Sequence, residues 1–410
     1  MPHNDLPVVQ IRIYNTNMHH YIQRDTSGRI IQRLREMPAV ALLGARQCGK
    51  STLAKFLLET IPQSIYLDLE RPRDRNKLRD AEAFLSLNKD KLICLDEIQL
   101  VPDFFALLRG VIDERRRNGQ FLILGSASRD LIRQTSESLA GRISYFELTP
   151  FILPEVVQED GSALRRLWLR GGFPRSYLAG SDEASFQWRL DFIRSFLERD
   201  IPQLNMRIPP QRVERLWQMC AHTHGQLLNY SKLAGSLGLT DHTVRSYIEL
   251  LNGAFMVRVL PPMHANLKKR LVKSPKVYIR DSGILHTMLG LETAYDLFGH
   301  PVYGASWEGC VVENILANVK PQVKTSFYRT AKGAEIDLVL EKGDSRLAVE
   351  CKASSAPGVS RRFHTAVQDI DATHAFVVAP VEDLYPIAEN IEVASLEKCL
   401  IECRRRGYLV

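Results

Sequence analysis

The stretch Gly44-Ala45-Arg46-Gln47-Cys48-Gly49-Lys50-Ser51 constrains this chain more than any other, because it joins an apolar run, Val40-Ala-Leu-Leu43, to a helical pattern, Ser51 to Leu58. In that context the spacing G-x-x-x-x-G-K-S is a P-loop. Successive backbone N–H groups of such a loop point at the β- and γ-phosphates of a nucleotide, and the following helix adds the positive end of its dipole. The glycines allow close approach, Lys50 sets a compact charge on the phosphates, and the Ser51 hydroxyl is the expected Mg2+ ligand. Positions 44 to 52, Thr52 included, are predicted to line the nucleotide.

A second apolar run, Lys91-Leu-Ile-Cys-Leu95, ends in Asp96-Glu97. Two carboxylates at the C-terminal tip of a sheet strand beside the P-loop sit where metal and water must lie. Asp96 is predicted to hold Mg2+ through a coordinated water and Glu97 to orient or polarise the attacking water. An acid pair ending a strand can also simply cap the next helix. A third run, Phe121-Leu-Ile-Leu124, leads to Ser126, a candidate sensor of the γ-phosphate. Short apolar runs alternating with helical patterns between residues 40 and 151 predict an α/β domain with a parallel sheet.

The length of 410 residues accommodates several domains. The expected plan is an N-terminal segment 1–35, a nucleotide domain 36–160, a helical lid or linker 161–208, a basic segment 209–285 and a C-terminal α/β domain 286–410. Seven scattered cysteines, none in a C-x-x-C pair, argue against a disulfide framework or zinc site and point to a reducing cytoplasm. No apolar run approaches the roughly 20 residues that span a bilayer, so no membrane partner is expected.

The net charge of +7 is unevenly spread: residues 205–280 hold twelve Lys/Arg against three acids, an excess of +9. Within that segment three helices are predicted, 211–225, 231–237 and 241–252, with Gly238 at the last turn and a wing-like strand over 255–259. Leu233, Ala234, Leu237, Val244, Tyr247, Ile248 and Leu251 supply the apolar face of a winged helix-turn-helix. Its third helix would expose His242, Thr243, Arg245, Ser246 and Glu249, with Lys268, Lys269, Arg270, Lys273 and Lys276 over phosphates, so DNA is the expected partner. Packing or dimerisation is the competing use of such a module.

In Glu335-Ile-Asp337-Leu-Val-Leu340 and Leu347-Ala-Val-Glu350-Cys-Lys352, alternation places Asp337, Glu350 and Lys352 on one face of a hairpin, opposite the apolar residues. With Glu313 from the preceding helix this is the pattern of PD-(D/E)XK nuclease-like proteins. Asp337, Glu350 and Glu313 would bind Mg2+, and Lys352 would position the water attacking a phosphodiester. Glu308 is an alternative to Glu313, and a charged hairpin on an inert scaffold is the alternative to cleavage.

Leu43 to Thr52, Leu95-Asp-Glu-Ile-Gln99, Gly125-Ser-Ala-Ser128 and Ser138-Leu-Ala-Gly-Arg142 together resemble the bacterial AAA-type ATPases that carry a C-terminal domain of unassigned function. Gly171-Gly-Phe-Pro174, Asn229-Tyr-Ser-Lys-Leu-Ala234 and Lys273 to Gly283 extend the resemblance over nearly the whole chain. It implies ATP and Mg2+ as ligands, a homo-oligomer, and an arginine acting on the γ-phosphate, often from the neighbouring subunit. Arg142 is the first candidate, with Arg129 and Arg133 behind it. The resulting expectation is an ATPase coupled to DNA handling. Its rivals are a nucleotide-controlled binding protein whose C-terminal domain cuts nothing, and a slow switch whose basic segment meets an acidic protein.

Overall fold

The computed structural model describes residues 21–101, 103–126, 139–157, 162–203, 208–263 and 270–410, and the chain divides into two compact units, Met1–Thr149 and Pro150–Val410. The side chain of Ser126 and the residues Ser128, Arg129, Arg133, Arg207, Lys268 and Lys269 lie outside what is described.

In the first unit, helix α1 (Ser27–Glu36) precedes β1 (Ala39–Gly44), α2 (Lys50–Glu59), β2 (Ser64–Asp68), β3 (Leu92–Asp96), α3 (Phe104–Arg115), β4 (Phe121–Ser126) and β5 (Ile143–Glu147). β1 and β3 are buried along their whole length, which is why they read as unbroken apolar runs rather than as alternating ones. The helices alternate instead: α3 turns Phe104, Phe105, Leu108 and Ile112 inward at helical spacing. All pairings are parallel, in the order β2-β3-β4-β1-β5. β4 therefore separates the acid-tipped strand β3 from the P-loop strand β1. Parallel pairing still brings the carboxyl ends of β1, β3 and β4 to one edge, with Gly44 opposite Ser126 and Leu95 opposite Ile123.

The second unit opens with a mostly helical stretch that includes α4 (Ala163–Arg170) and α5 (Asp182–Ser195). Then come α6 (Pro210–His222), β6 (Gln226–Leu227), α7 (Tyr230–Leu237), α8 (Asp241–Gly253), β7 (Val257–Leu260) and β8 (Lys276–Ile279). The side chains of Asn229 and Thr240 accept the N–H groups that start α7 and α8, and Gly238, at φ 62°, closes α7 in the left-handed conformation that glycine tolerates. The three short strands form an antiparallel sheet, β6-β8-β7, with β8 in the middle.

α9 (Ser282–Met288) and α10 (Tyr303–Leu316) lead into β9 (Lys324–Arg329), β10 (Glu335–Lys342), β11 (Ser345–Cys351), α11 (Arg361–Asp369), β12 (His374–Val378), β13 (Tyr385–Ala388), β14 (Ile391–Ala394) and α12 (Leu396–Arg405). These strands form one six-stranded sheet, β13-β14-β12-β11-β10-β9, antiparallel across β9-β10-β11 and parallel across β11-β12-β14. The strict alternation expected of β10 is broken. Its register against β9 shifts between Ile336 and Val339, so both residues share one buried cluster with Phe363, Ala375 and Val377. Such an irregularity re-aims side chains, and here Asp337 lies inside it. Nor is the hairpin face exposed: Asp337 and Glu350 are each only 8% accessible.

Candidate functional site

The P-loop follows directly from β1. Gly44 is required there, since a Cβ on it would lie 2.2 Å from the carbonyl oxygen of Leu148. Gly49 has φ 105° where the loop turns into α2, again a backbone region for glycine. Arg24, buried before α1, donates to the carbonyls of Cys48 (3.0 Å) and Thr149 (2.6 Å), and so ties the loop to the chain leaving β5. Lys50 is 5% accessible, and its Nζ donates to the carbonyls of Gly44 (2.9 Å) and Ala45 (2.8 Å), taking up two of three ammonium donors. Arg46 faces Glu70 at 3.9 Å, Cys48 is buried with Sγ 3.3 Å from the Leu148 carbonyl, and Thr52 is exposed on α2.

Asp96 is 3% accessible at the tip of β3. Its Oδ2 accepts a hydrogen bond from the hydroxyl of Tyr66, on β2, and the Ser51 side chain acts on the same hydroxyl, opposing the rise in its pKa. Ser51 and Asp96, far apart in sequence, thus meet on one oxygen atom. Burial, then the Asp96 carboxylate, push the Tyr66 phenol well above its ordinary pKa and keep it a donor. Asp96 Oδ1 is buried with no hydrogen-bond partner among the described residues. A buried carboxylate oxygen left in that state costs free energy that a cation would recover, and a serine hydroxyl beside it suits hard Mg2+. The residues present therefore fit the ion, although among the described residues no three His, Cys, Asp or Glu side chains gather as a metal site.

Glu97 stands next to this group in the left-handed region, at φ 57° and ψ 45°, unusual for a residue with a Cβ. Its carboxylate accepts from Gln99, and burial raises its pKa against the opposing pull of Lys50. Lys50, Ser51, Asp96 and Glu97 are brought together. Ser126 ends β4 opposite Gly44, a placement of its backbone only. Arg142 is not brought to them. It lies at the opposite edge of the sheet, where its carbonyl accepts from the N–H of Ala39 at the start of β1, and its guanidinium grips Asp113 at 2.6 and 2.9 Å. Tyr66 and Arg24 were not singled out from the sequence. A lone tyrosine within Ile65-Tyr-Leu67 reads as strand filler, and nothing local shows where either side chain ends.

In the second unit a carboxylate cluster surrounds the tip of Lys276. The Lys276 Nζ lies 2.8 Å from Glu308 Oε1, 3.0 Å from Glu335 Oε1 and 3.1 Å from Asp337 Oδ1. Tyr278 donates to the same Glu308 oxygen at 2.5 Å, and the N–H of Cys351 donates to Asp337 Oδ2 at 3.0 Å. Lys352 pairs with Glu350 at 2.6 Å. Burial first, then the neighbouring Asp337, raise Glu308 to about 7 and Glu350 to about 8. Asp337, Glu350 and Lys352 are thus close, as the hairpin pattern predicts. Glu313 is not with them: Arg258 and Arg280 both bind its carboxylate and, outweighing burial, hold its pKa low. Glu308 takes the place expected of Glu313, and Glu335 and Lys276 join it.

The basic segment looks different in three dimensions. Of its twelve cations, Arg258, Lys276 and Arg280 turn inward onto acids from residues 308–337, so the excess of +9 is partly neutralised by the C-terminal sheet and its helix. Lys276 in particular is not a surface lysine over phosphates. Arg212, Arg215, Lys232, Arg245, Arg270 and Lys273 are exposed. On α8, His242, Arg245 and Glu249 are exposed, and the Arg245 guanidinium lies 3.9 Å from the centre of the Tyr230 ring.

Residues 36–157 match an AAA domain, residues 161–295 a domain of unknown function (DUF8612) and residues 303–399 a second domain of unknown function (DUF4143). An uncharacterized protein of Mycobacterium tuberculosis is 40% identical over 378 residues, covering 92% of this chain and 84% of that relative. An uncharacterized protein of Mycobacterium bovis matches to the same extent, 40% over 378 residues with 92% and 84% covered. Among solved structures, the Walker-type ATPase of Pyrococcus abyssi is similar at 16% identity with a TM-score of 0.46, covering 66% of this chain and 96% of that one.

Proposed function

The chain belongs to the family of these two mycobacterial proteins, and from the AAA domain at residues 36–157 we propose that it binds and hydrolyses ATP with Mg2+. The convergence of Ser51 and Asp96 on the Tyr66 hydroxyl carries this reading, because the two side chains an ion would need both act on that one group. Loop amides from residues 44 to 52 and the ammonium of Lys50 would take the β- and γ-phosphates. Mg2+, held by Ser51 and Asp96, would neutralise charge on the phosphate oxygens. Glu97, its carboxyl already raised by burial, would accept the proton of the attacking water, and Gln99 keeps that carboxylate oriented. Glu97→Gln is expected to retain ATP binding and to slow steady-state phosphate release by about 100- to 10,000-fold, the range of a lost general base. An unchanged rate would remove Glu97 from the mechanism.

Arg142 faces away from its own P-loop, which suits action on the γ-phosphate of a neighbouring copy in a homo-oligomer. For the basic segment, the order helix, strand, helix, helix, strand, strand, with β8 between β6 and β7, supports a winged helix-turn-helix whose exposed cations bind DNA. The order α10-β9-β10-β11-α11-β12 and the Asp337, Glu350 and Lys352 constellation support a PD-(D/E)XK-type fold for the C-terminal domain. ATP turnover in this reading controls contact with DNA, in a cytoplasmic protein whose seven cysteines are all unpaired. Lys276 among the carboxylates favours a C-terminal domain that does not cut.

A further inference from the structure

A buried charge needs partners, and the fold supplies Lys276 with three. The residue is 2% accessible, and its ammonium lies 2.8, 3.0 and 3.1 Å from Glu308, Glu335 and Asp337, hydrogen-bonded to Glu308 and Asp337 and ion-paired with Glu335. The ring of Phe327 lies 5.6 Å away and closes a further side. Burial alone would discharge such a lysine, but Asp337 and Glu308 more than offset it and hold its pKa well above the ordinary value.

The acids have other partners as well: Asp337 Oδ2 accepts from the Cys351 N–H, Glu308 Oε1 also from the Tyr278 hydroxyl and Glu350 Oε1 from Lys352, and Glu335 Oε2 lies 3.4 Å from Arg329. Mg2+ or Mn2+ placed among these acids would have to evict an ammonium that already fills the point where they converge. The backbone favours retention. Lys276 starts the central strand β8, where it is paired with Leu227 of β6 on one side and Leu260 of β7 on the other, so its main chain is held in place and the ammonium could leave only by rotation of its own side chain. Tyr278, two residues on and therefore on the same face of β8, reaches the same Glu308.

We propose that Lys276 is the permanent cation of the Glu308–Glu335–Asp337 cluster, that it excludes divalent metal from the C-terminal domain, and that this domain is a metal-free scaffold locked to the three-helix segment through β8. The donor set does not fit a nuclease metal site while Lys276 is in place. The inference is independent of the ATPase reading, because it concerns no residue of the P-loop.

Two measurements on nucleotide-free, full-length protein test it. The first is Fe2+-directed backbone scission with ascorbate and peroxide. The wild type is expected to show no cleavage within residues 335–352. Cleavage there that Asp337→Asn abolishes would overturn the proposal. The second is acylation of amines mapped by peptide mass. Lys276 is expected to stay unlabelled, with exposed Lys273 as the reactive control, and 10 mM Mn2+ (roughly ten-thousandfold over a micromolar protein) is expected to leave this pattern unchanged. Labelling of Lys276 that appears with Mn2+ would show displacement and sink the idea. Lys276→Ala removes the resident cation. In the folded variant, scission near Asp337 and Glu350 is expected to appear, and Mn2+ is expected to raise the melting temperature by about 5 °C, which the wild type does not show. A folded variant that remains silent to both would show that Lys276 is not what excludes the ion. If the variant does not fold, the two wild-type measurements decide the matter.

Discussion

Tyr66→Phe removes a single oxygen and leaves the ring in place, so it isolates the hydroxyl that joins Ser51 to Asp96. Without it, Asp96 loses the hydrogen bond to Oδ2 while Oδ1 already has none among the described residues. A hydrogen bond to a charged group contributes about 1.5–3 kcal/mol, and a buried carboxylate left without it carries that cost in full. In the nucleotide-free protein the first unit should therefore melt about 5–10 °C lower than in the wild type. The deficit should then shrink when Mg2+ and a non-hydrolysable ATP analogue are added together, because a cation now faces the carboxylate. It should persist when the analogue is added with EDTA. Differential scanning calorimetry in the three conditions reads each difference directly. A variant as stable as the wild type, or one whose deficit ignores Mg2+, would refute the placement of the ion between Ser51 and Asp96.

Arg142→Ala should lose ATP turnover while keeping nucleotide affinity, and mixing it with Lys50→Ala protein should restore part of the rate; no recovery in a stable oligomer would assign Arg142 to its Asp113 contact alone. DNA binding should weaken steeply between about 50 and 200 mM salt, and Arg245→Ala should reduce the affinity across sequences; binding indifferent to salt would favour a protein partner. In the second unit, His224 and His286 are buried, and burial lowers each to about 3. The unfolded chain binds those protons near pH 6.5 and the folded chain does not, so stability is fully present above about 6.5 and falls as pH drops towards 3. Melting temperatures across that window check this, and His286→Gln, which keeps a polar contact to Ser306, should flatten the slope.

What could be read in advance was whatever is local in the chain. The P-loop, the acid-tipped strand and the E-x-K strand are set by spacings of a few residues; Lys50, Ser51, Asp96 and Glu97 gather within the first unit, and Glu350 and Lys352 pair within the second. Strand order was not local. That β4 separates β1 from β3 depends on how crossover helices pack, which no single run of residues encodes. The choice between Glu308 and Glu313 fails for a related reason: five residues on a helix are about 140° apart, so only one of them can face the cluster, and the sequence does not say which. Lys276 misled because a lysine in a basic stretch reads as surface charge. Yet in Lys276-Val-Tyr-Ile279 it opens an apolar strand and shares a face with Tyr278, a pattern that marks an enclosed lysine once the strand is known to be central.

Nucleotide binding by Lys50→Ala tests the central claim most directly, because Lys50 is the charge that the loop holds over its own mouth through Gly44 and Ala45. Equilibrium titration of a fluorescent ATP analogue with Mg2+ should show affinity falling by about 10- to 100-fold or more, as expected for the loss of a charged contact to phosphate, with no comparable loss of fold by circular dichroism. Unchanged affinity in a folded variant would mean that the nucleotide site is not where this account puts it.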